Sequence, residues 1–230
     1  MTFVDCLLAS MVAVICGLDR MAICQLMISR PVVAGPLTGF VLGEPLLGLQ
    51  IGLLVELLWL GRLPVGASIP PDDTQVAIAG TFLAVSATGL WHYPEPVTIA
   101  FCLMIAIPLG KCGQLFDHMS RRANDNLGRR AERFLMADEL GSSVRTHLVG
   151  IGHFAVSSLC TFIVIAGLGS LICFALMPIF ASYFEPAGYW SLLVFPLVGA
   201  AMILKSINIS RSVTLFSASF VSALLILWLL

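Results

Sequence analysis

The sequence predicts an all-α polytopic membrane protein with about 6–8 transmembrane or re-entrant helices. Composition is the first observation behind this prediction: 59% of the 230 residues are hydrophobic, 11% are charged, and the mean hydropathy is +1.00. A soluble domain carries roughly 25% charged residues. The second observation is that short apolar segments are interrupted by glycine and proline, a pattern that marks the binding sites of transporters.

We expect a single membrane-embedded domain over residues 1–230, with no soluble module. The net charge of −1 gives no electrostatic basis for binding nucleic acid. The seven cysteines lie apart in apolar segments and the four histidines lack ligand spacing, so we expect no metal, disulfide framework or cofactor. Nucleotide-binding motifs are absent from the sequence. The N-terminus lacks the pattern of a cleaved signal peptide, so the first span should stay in the membrane.

The first predicted element is an apolar span over residues 1–18. It ends at Asp19 and Arg20, which we expect to pair with each other. Residues 22–29 are apolar but too short to cross a bilayer. We therefore interpret them as a re-entrant or interfacial element.

Residues 31–43 and 46–60 predict two short helices joined at Glu44-Pro45, where the proline suits a helix start. Glycines recur every fourth residue and so stack on one face of each helix. They are Gly35, Gly39 and Gly43 on the first helix, and Gly48 and Gly52 on the second. Small residues at this spacing let helix backbones approach closely in a membrane, which predicts a structural role for all five.

Glu56 is the next residue along the second glycine ladder, which places it on a packed face rather than a lipid-facing one. Ionisable groups within a membrane are costly and usually functional. We predict that Glu56 contacts substrate or organises the site, with a structural pairing to Arg62 as the alternative. Thr38, between two ladder glycines, either binds ligand or makes a helix–helix hydrogen bond.

The segment Pro70-Pro71-Asp72-Asp73-Thr74-Gln75 breaks the apolar run with polar groups. One interpretation is a surface loop whose aspartate caps a helix beginning near Thr74. The other is a re-entrant loop lining a polar cavity, where irregular backbone is tolerated at membrane depth. One aspartate then caps while the other binds. Carboxylates and amides pair with sugar hydroxyls, so Asp72, Asp73 and Gln75 join the candidate substrate-binding residues, with Pro71 structural.

The remaining spans are predicted over residues 74–91, 97–110, 148–178, 191–204 and 213–230. Aromatic and acidic turns at residues 91–96 and 182–190 indicate the membrane interface. Seven of the twelve Lys and Arg residues lie in 111–147, which predicts a cytoplasmic location for this segment. Apolar residues at helical spacing indicate that part of it is an amphipathic helix.

The run from Arg30 to Asp72 resembles the signature region of the mannose/fructose/sorbose-type phosphotransferase system IIC component. The matching features occur in the family's order. They are Arg30-Pro31, the first glycine ladder, Gly43-Glu44, Glu56 followed by Gly61, Gly66-Ala67 and Pro71-Asp72. Weaker similarity continues through Gly113-Gln114 and the late segment 198–202. Arg62 and the doubled aspartate followed by Thr74 depart from the commoner choices.

The resemblance implies a sugar-translocating subunit, multi-pass in the bacterial plasma (inner) membrane, that binds a hexose. It implies an oligomeric complex with a IID membrane subunit and with IIA and IIB phosphocarriers, which bear the phosphorylated histidines. Segment 111–147 then becomes a docking surface for IIB. No catalytic centre is expected in this chain. The alternatives are a regulatory subunit that binds sugar or IIB without uptake, and an enzyme using Glu56 and Asp72 as acid and base.

Overall fold

The computed structural model describes residues 2–61, 69–206 and 212–229. These residues form eight helices and no strand, which confirms the predicted all-α class. The helices are α1 (Phe3–Met21), α2 (Pro31–Val41), α3 (Pro45–Trp59), α4 (Asp73–Leu90), α5 (Glu95–Leu109), α6 (Cys112–Met136), α7 (Leu140–Ser206) and α8 (Ser212–Leu229).

Two helical stretches among these residues, Glu95–Met136 and Leu140–Tyr183, are long and apolar enough to cross a membrane. Shorter apolar helices, α2 and α3 among them, accompany these two stretches. On α1, Leu7, Met11 and Ile15 form an exposed apolar stripe, while Ala9 and Ala13 on the other side are buried. Such a stripe is unfavourable in water but suits contact with lipid chains.

Helices α2 and α3 pack backbone to backbone along their glycines, as predicted. A Cβ atom at Gly35 would lie 2.9 Å from the Cα of Gly52, and one at Gly39 would lie 3.1 Å from the Cα of Gly48. No side chain fits between the two helices at these points. The two glycine ladders therefore set the spacing of this hairpin.

Gly43 does not share this packing role, so its assignment to the ladder was wrong. Helix α2 ends at Val41, and Gly43 follows with φ +87° and no atom within 4 Å of a Cβ position. Its left-handed backbone lets the Glu44 N–H donate to the Gly39 carbonyl at 2.7 Å, closing the helix end. Gly43 is needed for the turn rather than for close approach.

Residues 22–30 form a non-helical connection folded around Asp19. The Asp19 carboxylate accepts hydrogen bonds from the N–H groups of Leu26 at 2.6 Å and Ser29 at 3.1 Å. Cys24 and Met27 in this segment adopt positive φ angles. The predicted pairing of Asp19 with Arg20 is therefore wrong, because Asp19 holds this connection and Arg20 points to another element.

Helix α4 occupies the centre of the bundle and is buried on nearly all sides between Thr74 and Ala84. It contacts α1, α2, α3, α5 and α7. The Asp72 side chain caps its first turn by accepting from the Gln75 N–H at 3.0 Å, which confirms that one of the two aspartates caps this helix.

The polar segment 111–147 is mostly helical rather than a loop. Helix α6 is followed by a turn at Asp138, which has φ 59°, and then by α7. Three polar contacts among the described residues join α6 to α7. Asn124 Nδ2 donates to the Gly150 carbonyl at 3.2 Å. Asn124 Oδ1 lies 2.7 Å from His153 Nδ1, and the Ser120 hydroxyl donates to the His153 carbonyl at 3.0 Å. The expected amphipathic helix is confirmed.

Helix α7 continues through residues 182–190, where the sequence predicted a turn. Tyr183, Glu185 and Tyr189 lie on exposed positions of the unbroken helix, while Gly188 packs against the backbone of Val97 at the start of α5. Ser158 of α7 and Trp59 of α3 line one cavity, yet Gly199 near the end of α7 packs on Leu57 of the same helix α3. A straight helix would separate positions 158 and 199 by about 60 Å, so the chain reverses direction between them although its backbone stays helical.

Candidate functional site

A cavity of about 620 Å³ lies where six segments of the chain converge. Its walls come from the end of α1, the connection after it, the end of α3, the residues before α4, the start of α6 and the middle of α7. Its volume falls within the about 300–1,000 Å³ of small-molecule sites. The polar segment predicted to line a cavity does so, through Pro70, Pro71, Asp72, Asp73 and Thr74.

Arg20 joins α1 to the start of α4 by pairing with both aspartates. One guanidinium nitrogen lies 2.6 Å from Asp72 Oδ1 and 3.0 Å from Asp73 Oδ1. Asp72 is also the helix cap, and its backbone N–H donates to the Gly110 carbonyl at 3.2 Å. Both aspartates line the cavity, and Asp72 in addition caps α4.

Glu56 lies in the cavity wall at the N-terminus of α2. Its carboxylate pairs with Arg30 and lies 3.5 Å from the Val32 N–H. The Glu56 side chain is 12% exposed and that of Arg30 48%. A carboxylate at a helix N-terminus is favoured by the unpaired N–H groups there. This geometry ties α3 to α2 and matches the organising role proposed for Glu56. Arg62 lies outside the described residues.

A third pair comes from α6, which the sequence placed on a partner-facing surface. Asp117 Oδ2 accepts from Arg121 Nε at 2.9 Å, and both residues line the cavity together with His118. Arg121 also reaches the sulfur of Met21 at 3.8 Å. The start of α6 therefore belongs to the cavity wall, a role that the sequence did not predict.

Thr38 and Gln75 do not line the cavity. Thr38 is fully buried and its hydroxyl donates to the Ala34 carbonyl at 2.8 Å, within its own helix. Gln75 is also fully buried and donates to the Ala13 carbonyl at 2.9 Å, which joins α4 to α1. Both side chains stabilise helix packing around the site. Pro71 lies in the wall, and its carbonyl accepts from the Asp73 N–H at 3.0 Å.

The cavity combines charged, hydroxyl and aromatic groups, with Trp59 and Phe154 among the apolar ones. Carboxylates accept hydrogen bonds, guanidinium groups donate them, and hydroxyls do both. A polyhydroxylated ligand matches such a lining. Among the described residues, no group of three or more His, Cys, Asp and Glu side chains is arranged to hold a metal ion.

Three arginines and two serines that line the cavity were not among the site residues predicted from the sequence. Arg20 and Arg30 lie at the ends of helices, where a basic residue is also expected simply to reach the membrane surface. Arg121 lies within α6, in the basic segment that the sequence assigned to a solvated, lipid-facing or partner-facing surface. Arg20 lies 52 positions from Asp72 and Arg30 lies 26 positions from Glu56, so local patterns do not link them. Ser157 and Ser158 lie inside a long apolar run and carried no signal in the sequence.

The family model for the sorbose-specific IIC component of the phosphotransferase system matches residues 3–228. The mannose-specific EIIC component of Escherichia coli K12 is 30% identical over 136 residues, which cover 54% of this chain and 48% of that protein. The fructose permease IIC component of Bacillus subtilis is 25% identical over 137 residues, covering 60% of this chain and 48% of that protein. The matches thus span about half the length of these curated relatives.

Two solved structures share the fold over nearly the whole chain. One is the mannose transporter ManYZ in complex with microcin E492, with a TM-score of 0.62 and 23% identity. The other is described as a membrane protein, with a TM-score of 0.65 and 22% identity. Each likeness covers 97% of this chain and 87% of the other. Together with the family match over residues 3–228, they establish that this chain is an integral membrane protein of the sorbose-type IIC family of the phosphotransferase system.

Proposed function

We propose that this chain is the sugar-translocating membrane subunit of a phosphoenolpyruvate-dependent sugar phosphotransferase system. It binds a hexose in the cavity and passes it inward for phosphorylation by IIA and IIB partners. The observation that carries the proposal is the cavity itself, in which paired carboxylates and arginines meet at the ends of short, interrupted helices. Such helix interruptions accompany substrate sites in transporters.

Asp73 and Arg20 are the groups that we assign to sugar binding. Asp73 is the first residue of α4, and its carboxylate pairs with Arg20. Both residues line the cavity. A sugar hydroxyl between these two side chains would donate a hydrogen bond to the Asp73 carboxylate and accept one from the Arg20 guanidinium. Glu56 and Asp72 hold the helices in position around the same space.

The proposed partner proteins are inferred from membership of the family and not from the geometry of the cavity. We propose that the chain assembles with a IID membrane subunit into an oligomeric complex in the bacterial plasma membrane. Segment 111–147 then lies on the cytoplasmic side, where its basic residues face IIB. The exposed arginines Arg122, Arg129 and Arg130 on α6 support this orientation, since positive charge is retained on the cytoplasmic side of membrane proteins.

Uptake of labelled hexoses tests this proposal. Cells lacking their own permease would express this chain with its IID, IIA and IIB partners, and phosphorylated sugar inside would be measured for wild type and Asp73→Asn. Removing a charged acceptor from the site is expected to lower uptake at limiting sugar by about tenfold or more, since hydrogen bonds to charged groups contribute about 1.5–3 kcal/mol.

Ser86→Ala is the matched control for this experiment, because the Ser86 hydroxyl donates to the Phe82 carbonyl within α4 and does not line the cavity. Its uptake should equal that of wild type. Membrane levels and co-purification with IID would be measured for every variant. An assembled wild-type complex that accumulates no hexose would contradict the proposal and favour a regulatory subunit instead.

A further inference from the structure

Ser157 and Ser158 form a pair of hydroxyl groups in the middle of α7, on the wall of the cavity. Phe154, Ser157 and Ser158 follow the spacing that puts residues on one helix face, and all three line the cavity. Ser157 is 9% exposed and Ser158 is 8% exposed, so both are enclosed by protein apart from the cavity.

Hydroxyl groups within these helices usually bond to a carbonyl four residues earlier. Thr146 and Thr161 on α7 do so at 2.8 Å, as does Ser86 on α4 at 2.7 Å. Neither Ser157 nor Ser158 makes such a bond, and neither hydroxyl has a hydrogen-bond partner within residues 2–61, 69–206 and 212–229. Both hydroxyls are accessible from the cavity, so a bound molecule or water there can supply the missing hydrogen bonds.

Ser158 also packs closely on α1. Gly17 on α1 also lines the cavity, and a Cβ atom there would lie 2.5 Å from the Cβ of Ser158 and overlap its hydroxyl. The Ser158 hydroxyl therefore occupies the space that a side chain at position 17 would take. Glycine at this position lets α1 and α7 approach closely beside the cavity.

We propose that Ser157 and Ser158 are ligand-binding residues whose hydroxyls form hydrogen bonds with hydroxyl groups of the transported sugar. This inference rests on the proposed function and extends it to the part of the cavity wall that α7 provides. A serine hydroxyl both donates and accepts, so the pair matches vicinal sugar hydroxyls. A site built around such bonds discriminates against sugars that lack the bonded hydroxyl.

Equilibrium binding of labelled hexoses and their monodeoxy analogues to the purified complex with IID tests this assignment. Ser157→Ala and Ser158→Ala should each lower the affinity for the preferred hexose by about two- to tenfold, the range for one neutral hydrogen bond. For each variant, one monodeoxy analogue should bind wild type and variant equally, because it lacks the hydroxyl that the serine holds. Ser86→Ala should bind like wild type.

The outcomes separate the two proposals. If wild type binds the hexose and both serine variants bind it with the same affinity, the serine assignment is overturned. It is also overturned if each variant binds the hexose and every deoxy analogue more weakly than wild type by the same factor. Either result leaves the proposed function intact. A properly assembled wild-type complex that binds no hexose would contradict the proposed function, and the serine assignment with it. Thermal unfolding of each complex would show whether a variant has lost affinity through misfolding.

Discussion

At the scale of single residues, the site is organised by arginine–carboxylate pairs between elements that are distant in the chain. Arg20 of α1 meets Asp72 and Asp73 before α4, and Arg30 before α2 meets Glu56 on α3. The acidic members were predictable, because a carboxylate within an apolar run is costly and therefore conspicuous. Their partners were not, because the sequence alone does not specify which of several basic residues the fold brings near.

Arg20→Leu tests the importance of this pairing. It leaves Asp72 and Asp73 without their counter-charge in a partly enclosed site, which should lower the free energy of unfolding by about 2–3 kcal/mol, less than for a fully buried pair. Thermal or denaturant unfolding of the detergent-solubilised complex measures this change. Arg122→Leu, at an exposed position on α6, is the control and should change stability by less than about 0.5 kcal/mol.

A loss of stability that is equal in Arg20→Leu and Arg122→Leu would show that the ion pair is unimportant. The variant Arg20→Leu with Asp73→Asn supplies a second check. Because it removes one of the two uncompensated charges, it should be more stable than Arg20→Leu alone.

At the scale of helices, local sequence patterns predicted where helices form better than where they stop. The glycine spacing predicted the close packing of α2 and α3, since only glycine permits such contact. The same spacing included Gly43, although the chain had already left the helix there. Aromatic and acidic residues at 182–190 suggested a turn, and the chain does reverse between Ser158 and Gly199. Composition did not indicate that the backbone stays helical through this segment.

Gly39→Leu should disrupt the α2–α3 hairpin. Its Cβ would press on the backbone near Glu44 and on Gly48, which have no flexible end to move aside. We expect a loss of more than about 3 kcal/mol, above the usual range for overpacking against side chains. Gly152→Leu on α7 has nothing within 4 Å of the Cβ position and is the control. Normal assembly and thermal stability of Gly39→Leu would contradict the packing described here.

At the scale of the whole molecule, the cavity results from the convergence of segments that are individually unremarkable in sequence. The composition predicted a membrane bundle. Of the two interpretations of the proline–aspartate segment before α4, the one in which it lines a polar space agrees with the structure. The contributions of α6 and α7 depend on how those helices cross α1 and α4. Gly113 of α6, for instance, packs so closely on Asp72 that a Cβ there would lie 2.7 Å from the Asp72 Cβ. Such long-range contacts are invisible in local patterns.

A structure of the complex with IID, determined by cryo-electron microscopy with the preferred hexose bound, would show where the sugar binds. We expect sugar density in the cavity between α1, α4 and α7, within hydrogen-bond distance of Asp73 and Arg20. Sugar density confined to another part of the complex, with this cavity filled by side chains or water alone, would contradict the proposed binding site.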